Sequence, residues 1–358
     1  MNRIAAALAL LAPPAPLAAQ RLEPPAAVLA LAQARVDSGP ATAIVIGLVD
    51  SAGARYWAFG RLARDSAAQA ADSATVFEIG SITKVFTATL LADLVVRGEA
   101  SLDEPVRRLL PDTVRVPTRG DREITLRAIA SHQSGLPRLP NNLFSGRADI
   151  RNPYAHYGTP QLYAFLASYT LPRDIGARYE YSNLAVGLLG HALARRVGAS
   201  YEAALTQRVL QPLRLADTRI TLSDDMRRRL ARPHNRQGES SAWDFDALAG
   251  AGALRSTATD MARFLAIQLG LVRSPLDSAI ALTHVVQAET GRPSSSVALA
   301  WHTLQRGGFT IYAHDGGTGG YRTIVAFDTA RRVGVLVLSN SDAEIGDLAL
   351  RTLGVPER

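Results

Sequence analysis

"FTIYAHDGGTGGYRTIVAFDTARRVGVLVLSN", residues 309–340, holds three short runs rich in β-branched and aromatic residues, "FTIYAHDG", "RTIVAFD" and "GVLVLSN", separated by "GTGGY" and "TARR". Runs of this length between turn-forming residues predict an antiparallel meander. The stretch that follows, 342–353, reads as a closing helix. Near the other end, "AIVIGLVD" (43–50) and "ARYWAFG" (54–60) flank the turn "SAG" and predict a hairpin, preceded by a helical "PPAAVLALAQARVD". Between these ends the signals are helical: 81–97 stopped by Gly98, "TPQLYAFLASYTL" opened by Thr159, 182–197 stopped by Gly198, and "STATDMARFLAIQLG" opened by Ser256 and stopped by Gly270. The expected fold class is therefore α/β (α+β), with an antiparallel sheet built from both chain ends, flanked by helices, and an inserted all-helical lobe. The α/β lobe spans about 20–80 and 250–358 and the helical lobe about 81–249. A site is expected in the crevice between them. The stretch 146–160 reads as a long surface loop.

A chain of 358 residues, 47% hydrophobic and 20% charged, is long enough for a substantial core. It contains no cysteine, which excludes disulfides, a thiol nucleophile and thiolate metal sites. "MNRIAAALALLAPPAPLAAQ" has a positive Arg3, a short apolar run and a small-residue end, the layout of a signal peptide over residues 1–19. Its apolar run is too short to span a bilayer, so the expectation is export to the periplasm or medium without stable membrane insertion. The formal net charge is +7, but the arginines are scattered apart from "MRRR" at 226–229, which argues against nucleic-acid binding. The histidines show no H-E-x-x-H or clustered spacing, so neither a metal nor a cofactor is expected. Nor does the chain carry G-x-S-x-G or G-x-x-x-x-G-K-[ST]. "GAGALR" (250–255) reads as a turn near the cleft.

One position stands out chemically. Of 39 Lys plus Arg, 38 are arginine, and the single lysine is Lys84 in "FEIGSITKVF" (77–86). Ser81 and Lys84 lie three apart at a helix start, within mutual reach. A serine hydroxyl needs a neighbouring base to become a nucleophile. A buried lysine can be that base, whereas arginine stays protonated. Two further stretches join this pair: "YEYSNLAVGLLG" with Tyr181 and Asn183 before a helix, and "HDGGTGGY" with His314, Gly316 and Gly317.

Together S-x-x-K, Y-S-N and H-x-G, in that order, resemble the serine β-lactamase and penicillin-binding superfamily, in its branch of class C β-lactamases, D-Ala-D-Ala carboxypeptidases and family VIII esterases. The resemblance implies a β-lactamase/transpeptidase-like fold with Ser81 as acylated nucleophile, Lys84 as the amine that holds its hydroxyl and lowers its proton affinity, and Tyr181 as proton relay to the leaving group and the deacylating water. It implies that Asn183 steadies Lys84 and the substrate, that His314 donates to Tyr181 or to substrate, and that the N–H groups of Ser81 and Gly317 form the oxyanion hole, with Gly316 and Gly317 letting substrate approach the strand edge. The implied partner is a small-molecule or peptidoglycan-derived substrate; the oligomeric state is left open by the sequence, with a monomer expected. The sequence departs from class C β-lactamases at Thr83, at Leu139 after "GLP", at His314 and Asp315, and after "LSN", where "SDAEIGDLAL" lacks the Asn and Arg that help bind a β-lactam carboxylate. β-Lactam ring opening ranks first, with ester or D-Ala-D-Ala peptide hydrolysis as alternatives. A reading of another class is a penicillin-binding sensor that acylates without turnover.

Overall fold

A computed structural model describes residues 22–146 and 149–356. The expected signal peptide, 1–19, lies outside the described residues. The strands are β1 (Ala43–Asp50), β2 (Gly53–Gly60), β3 (Val76–Glu78), β4 (His234–Asn235), β5 (Gly238–Glu239), β6 (Arg255–Thr257), β7 (Ala288–Glu289), β8 (Ser295–Val297), β9 (His302–Arg306), β10 (Phe309–Gly317), β11 (Arg322–Asp328) and β12 (Val333–Ser339). Among the described residues, eight of them form one antiparallel sheet in the order β2-β1-β12-β11-β10-β9-β8-β7. The meander and the N-terminal hairpin meet where Ile44 lies opposite Ser339 and Val49 opposite Gly334. The chain ends thus close a single sheet.

β1 and β12 are buried along almost their whole length, because helices cover both faces of the sheet. The period-two alternation of a strand divides β1 between two cores. Ile44, Ile46 and Leu48 pack with Val335 and Val337 under α1 (Ala26–Ser38) and the closing helix Gly346–Thr352. Val45 and Val49 face the larger core, with Leu336, Leu338 and the helix Ala258–Gln268. Arg35 of α1 pairs with Asp347 of the closing helix at 2.7 Å.

The helices between the two sheet halves include α2 (Thr83–Val96), α3 (Leu126–Ala130), α4 (Thr159–Ser168) and α5 (Asn183–Val197). α2 is apolar nearly all round and is buried from Thr83 to Leu94, as a helix at the centre of a core must be. α5 is bounded as its sequence predicts: Ser182 Oγ accepts from Ala185 N at 2.9 Å, and Gly198 takes the left-handed conformation beyond arginines 195 and 196.

Several expectations shift. The helix expected from Ser81 begins as a 3-10 turn, Gly80–Ile82, before α2. Ser256 does not open a helix: it pairs in β6 with Phe77 of β3, and Thr257 caps the helix Ala258–Gln268 by accepting from Asp260 N. The closing helix starts at Gly346 because residues 342–345 turn away after β12. The loop before α4 is not wholly a surface loop, since Tyr154 and Tyr157 are buried, with Tyr154 stacked on Phe245. Strands β7 to β9 extend the sheet beyond the meander.

Candidate active site

The 3-10 turn Gly80–Ile82 packs on the end of β10, and glycines make the approach possible. A Cβ on Gly80 would stand 2.7 Å from Gly317 N, and one on Gly316 would run into Ile79 O. Gly80 also takes a φ of 49°, a left-handed conformation that favours glycine. Thr323 Oγ donates to Ile79 O at 3.0 Å and ties the turn to β11. Ser81 therefore sits beside the backbone of Gly317.

Lys84, in the first turn of α2, is fully buried. Its Nζ lies 2.9 Å from Ser81 Oγ and donates to Ala251 O at 2.6 Å. Burial, reinforced by the Arg138 guanidinium and opposed by Asp315, holds the amine well below the ordinary lysine range. Tyr181 shares a hydrogen bond with Ser81, and Lys84 Nζ lies 4.9 Å from the centre of its ring. Burial pushes the Tyr181 phenol up, and the bond to Ser81 only partly offsets this. The phenol keeps its proton where the amine gives its own up.

Around Tyr181 stands a histidine group. His132 packs against the Tyr181 ring at 4.6 Å between centroids, while His302 and His314 both lie 6.2 Å from it. His132 accepts from Ser182 N through Nδ1, which places its own proton on Nε2. His314 Nδ1 donates to Asp315 O at 2.7 Å, which leaves Nε2 as an acceptor. Both Nε2 atoms are buried without a hydrogen-bond partner. Burial first, then neighbouring positive groups, drives the basicity of both rings well below that of free histidine. His302 bonds the Tyr179 hydroxyl at 2.7 Å. Among the described residues no group of three or more His, Cys, Asp or Glu could hold a metal.

The expected residues thus gather at one cleft of about 490 Å³, lined by Ser81, Tyr181, Asn183 and Gly317, with His314 and Lys84 in the wall behind. Asn183 is placed differently from its expected role. It donates through Nδ2 to the Tyr154 hydroxyl at 3.1 Å, its Oδ1 is buried without a partner, and the steadying bond to Lys84 comes from Ala251 O instead. The helix cap at this point is Ser182. "GAGALR", read as a turn near the cleft, contains that carbonyl. Gly250 permits it by close packing, since a Cβ there would meet Gly190 Cα at 2.9 Å.

Sequence reasoning missed Arg138, His132, His302, Tyr179, Arg292 and Arg322. His132 and Arg138 bracket "QSGLP", and nothing in that stretch signals that both residues reach Tyr181. Arg138 lies 5.0 Å from the Tyr181 ring centre, a cation–π distance.

The Beta-lactamase family model matches residues 30–355. A D-alanyl-D-alanine-carboxypeptidase/endopeptidase AmpH from Escherichia coli K12 is 28% identical over 277 residues, 74% of this chain and 70% of that protein. Among solved structures, a beta-lactamase/D-alanine carboxypeptidase from Pseudomonas syringae superposes with a TM-score of 0.80 at 22% identity, covering 93% of this chain and 99% of that one. A class C beta lactamase from Rhodobacter sphaeroides gives 0.78 at 24% identity over 91% and 97%. At these identities the two structures speak for the fold.

Proposed function

The chain belongs to the Beta-lactamase family, and from that premise we propose that it is an exported serine hydrolase that opens an amide or ester bond through an acyl-enzyme on Ser81. The observation that carries this reading is the buried Lys84 amine 2.9 Å from Ser81 Oγ. A neutral amine gives one N–H to Ala251 O and offers its lone pair to the Ser81 hydroxyl. The Ser81 proton moves to Lys84 as Oγ bonds the carbonyl carbon, and the resulting oxyanion is held by the N–H groups of Ser81 and Gly317. The Tyr181 phenol gives its proton to the departing nitrogen or oxygen as that bond breaks, and the Lys84 ammonium restores it. Water then attacks the acyl carbon. One proton of that water is relayed back to Ser81 as the ester bond breaks, and the acid product leaves.

Among substrates β-lactam rings rank first. Peptides ending in D-Ala-D-Ala form a second reading, favoured by the similarity to the E. coli carboxypeptidase/endopeptidase. Turnover of a chromogenic cephalosporin, a nitrophenyl ester and a D-Ala-D-Ala peptide, measured side by side, separates them. The Ser81→Ala variant is expected to lose at least ~1000-fold in kcat/KM on whichever is turned over. Hydrolysis unchanged in that variant would falsify the reading. Mass spectrometry after β-lactam treatment separates an enzyme, which returns to its free mass as product accumulates, from a sensor that stays acylated.

A further inference from the structure

Shortly before Ser81 the chain buries an ion pair that does not line the cleft. Glu78 of β3 lies opposite Arg255 of β6, and Arg255 Nη2 donates to Glu78 Oε1 at 3.1 Å with both residues buried. Burying two opposite charges gains little stability in itself, because the loss of their hydration offsets their attraction. What this pair grips is a stretch of backbone. Glu78 accepts from Trp243 N at 3.0 Å through Oε1 and at 3.3 Å through Oε2. Arg255 Nη2 donates to Trp243 O at 2.8 Å and to Asp244 Oδ1 at 3.1 Å. Both backbone polar groups of Trp243 are thus held by the two members of the pair.

Trp243 does line the cleft, together with Ser81, Tyr154 and Asn183. Its indole is placed by packing alone: Nε1 is buried without a hydrogen-bond partner, and a Cβ on Gly319 would stand 2.6 Å from it. The ring lies 5.5 Å from that of Tyr154 and 6.4 Å from that of Phe245, and the three form an aromatic wall. With no bond of its own to orient it, the indole takes its place from the backbone that Glu78 and Arg255 hold. The same pair closes the base of the segment 243–255, which supplies Ala251 O to Lys84. β3 meanwhile runs straight into the turn that carries Ser81, and Ile79 N donates to Leu254 O at 3.0 Å. One buried carboxylate therefore joins the aromatic wall to the strand that delivers the nucleophile.

We propose that Glu78 is a positioning residue: with Arg255 it fixes Trp243 against the cleft, and so sets a preference for substrates whose acyl group carries an aromatic ring. The inference rests on the Ser81 acyl-enzyme reading and adds to it a residue outside the cleft and an acyl preference.

The test compares p-nitrophenyl phenylacetate with p-nitrophenyl acetate on the full-length protein, two uncharged esters that share a leaving group. The quantity read is the ratio of kcat/KM, phenylacetate over acetate, which reports the steps through acylation. Glu78→Gln keeps the shape of the side chain, but in either orientation of its amide an N–H faces the Trp243 N–H. It is expected to lower the ratio ~5-fold or more, as is Trp243→Ala. In the double variant the ratio is expected to fall no further than in Trp243→Ala alone, because the two residues act as one unit. Arg255→Lys keeps the charge but loses the fork. It is expected to lower the ratio as well, and it carries the test if Glu78→Gln does not melt cooperatively. A ratio that holds or rises in whichever of these two variants melts cooperatively overturns the inference and leaves the Ser81 reading standing. So does a ratio unmoved in Trp243→Ala, or a double variant that falls below Trp243→Ala. Failure of both esters to acylate Ser81 in the unsubstituted protein, followed by mass spectrometry, overturns both readings.

Discussion

Lys84 shows why a chain otherwise built on arginine keeps one lysine. A guanidinium at this site would stay charged at every accessible pH and would have no lone pair to offer Ser81. Lys84→Arg is therefore expected to abolish acylation although the formal charge is kept, as measured by mass spectrometry with a reactive ester. The same buried amine opposes folding. Because its folded pKa is depressed, the unfolded chain binds the proton more readily, so the cost is fully present below the folded pKa and disappears as pH rises past the unfolded value of about 10.4. Lys84→Met should lose acylation yet melt ~2 °C or more higher at neutral pH, with a larger gain in acid. The loss of the bond to Ala251 O works against that gain. A melting temperature that falls would show that the amine is a structural support.

The turn Gly80–Ile82 depends on β10 for its position, and the contact is made through glycine backbone rather than side chains. In Gly316→Ala the added methyl would collide with Ile79 O and stand 2.6 Å from Thr323 Oγ. Ile79 O is backbone and cannot swing aside as a long side chain could, and the short Thr323 side chain is tied to that same carbonyl. We expect destabilisation of ~1–3 kcal/mol, read as a lower urea midpoint, together with a fall in kcat larger than any change in KM, because the displaced atoms carry Ser81. At this scale the sequence was most legible where an element announces its own ends. α5 has Ser182 before it and Gly198 after it, and β1 and β12 are unbroken apolar runs. It was least legible where tertiary pairing overrides a local signal. Ser256 looks like a helix cap and is drawn into a strand by Phe77, while β7 and β8 are two and three residues long and exist only because β9 offers β8 an edge and β8 in turn offers one to β7. The site followed the same division. Ser81 and Lys84 were visible as a spacing and Tyr181 through the family resemblance, whereas the Ala251 carbonyl carries no side-chain signature. Arg322 resembles any other arginine until the β10 register sets it against Gly317.

Across the whole molecule, three imidazoles are gathered around Tyr181 in surroundings that keep them neutral. His132 and His314 both have folded pKa values depressed by burial. As pH falls below about 6.5 the unfolded chain takes up protons that the folded chain refuses, so stability drops by ~1.4 kcal/mol per pH unit for each such histidine until its folded pKa is reached. Urea unfolding followed between pH 7.5 and 5 should show this slope, and His314→Asn should reduce it. An equal slope in that variant would assign acid sensitivity to the carboxylates instead.

The pairing of Ile44 with Ser339 has a consequence for how the chain is made. β1 is among the first strands to emerge during synthesis, and its inner neighbour is the last strand of the sheet. Until β12 arrives, a strand of consecutive Ile, Val and Leu has only β2 beside it, with the other edge open. Contacts this distant in sequence form slowly, and an unpaired apolar edge is a template for other chains. Ribosome-stalled or truncated chains ending before Val333 are thus the aggregation hazard of this protein, and a holding chaperone would be most useful during that interval.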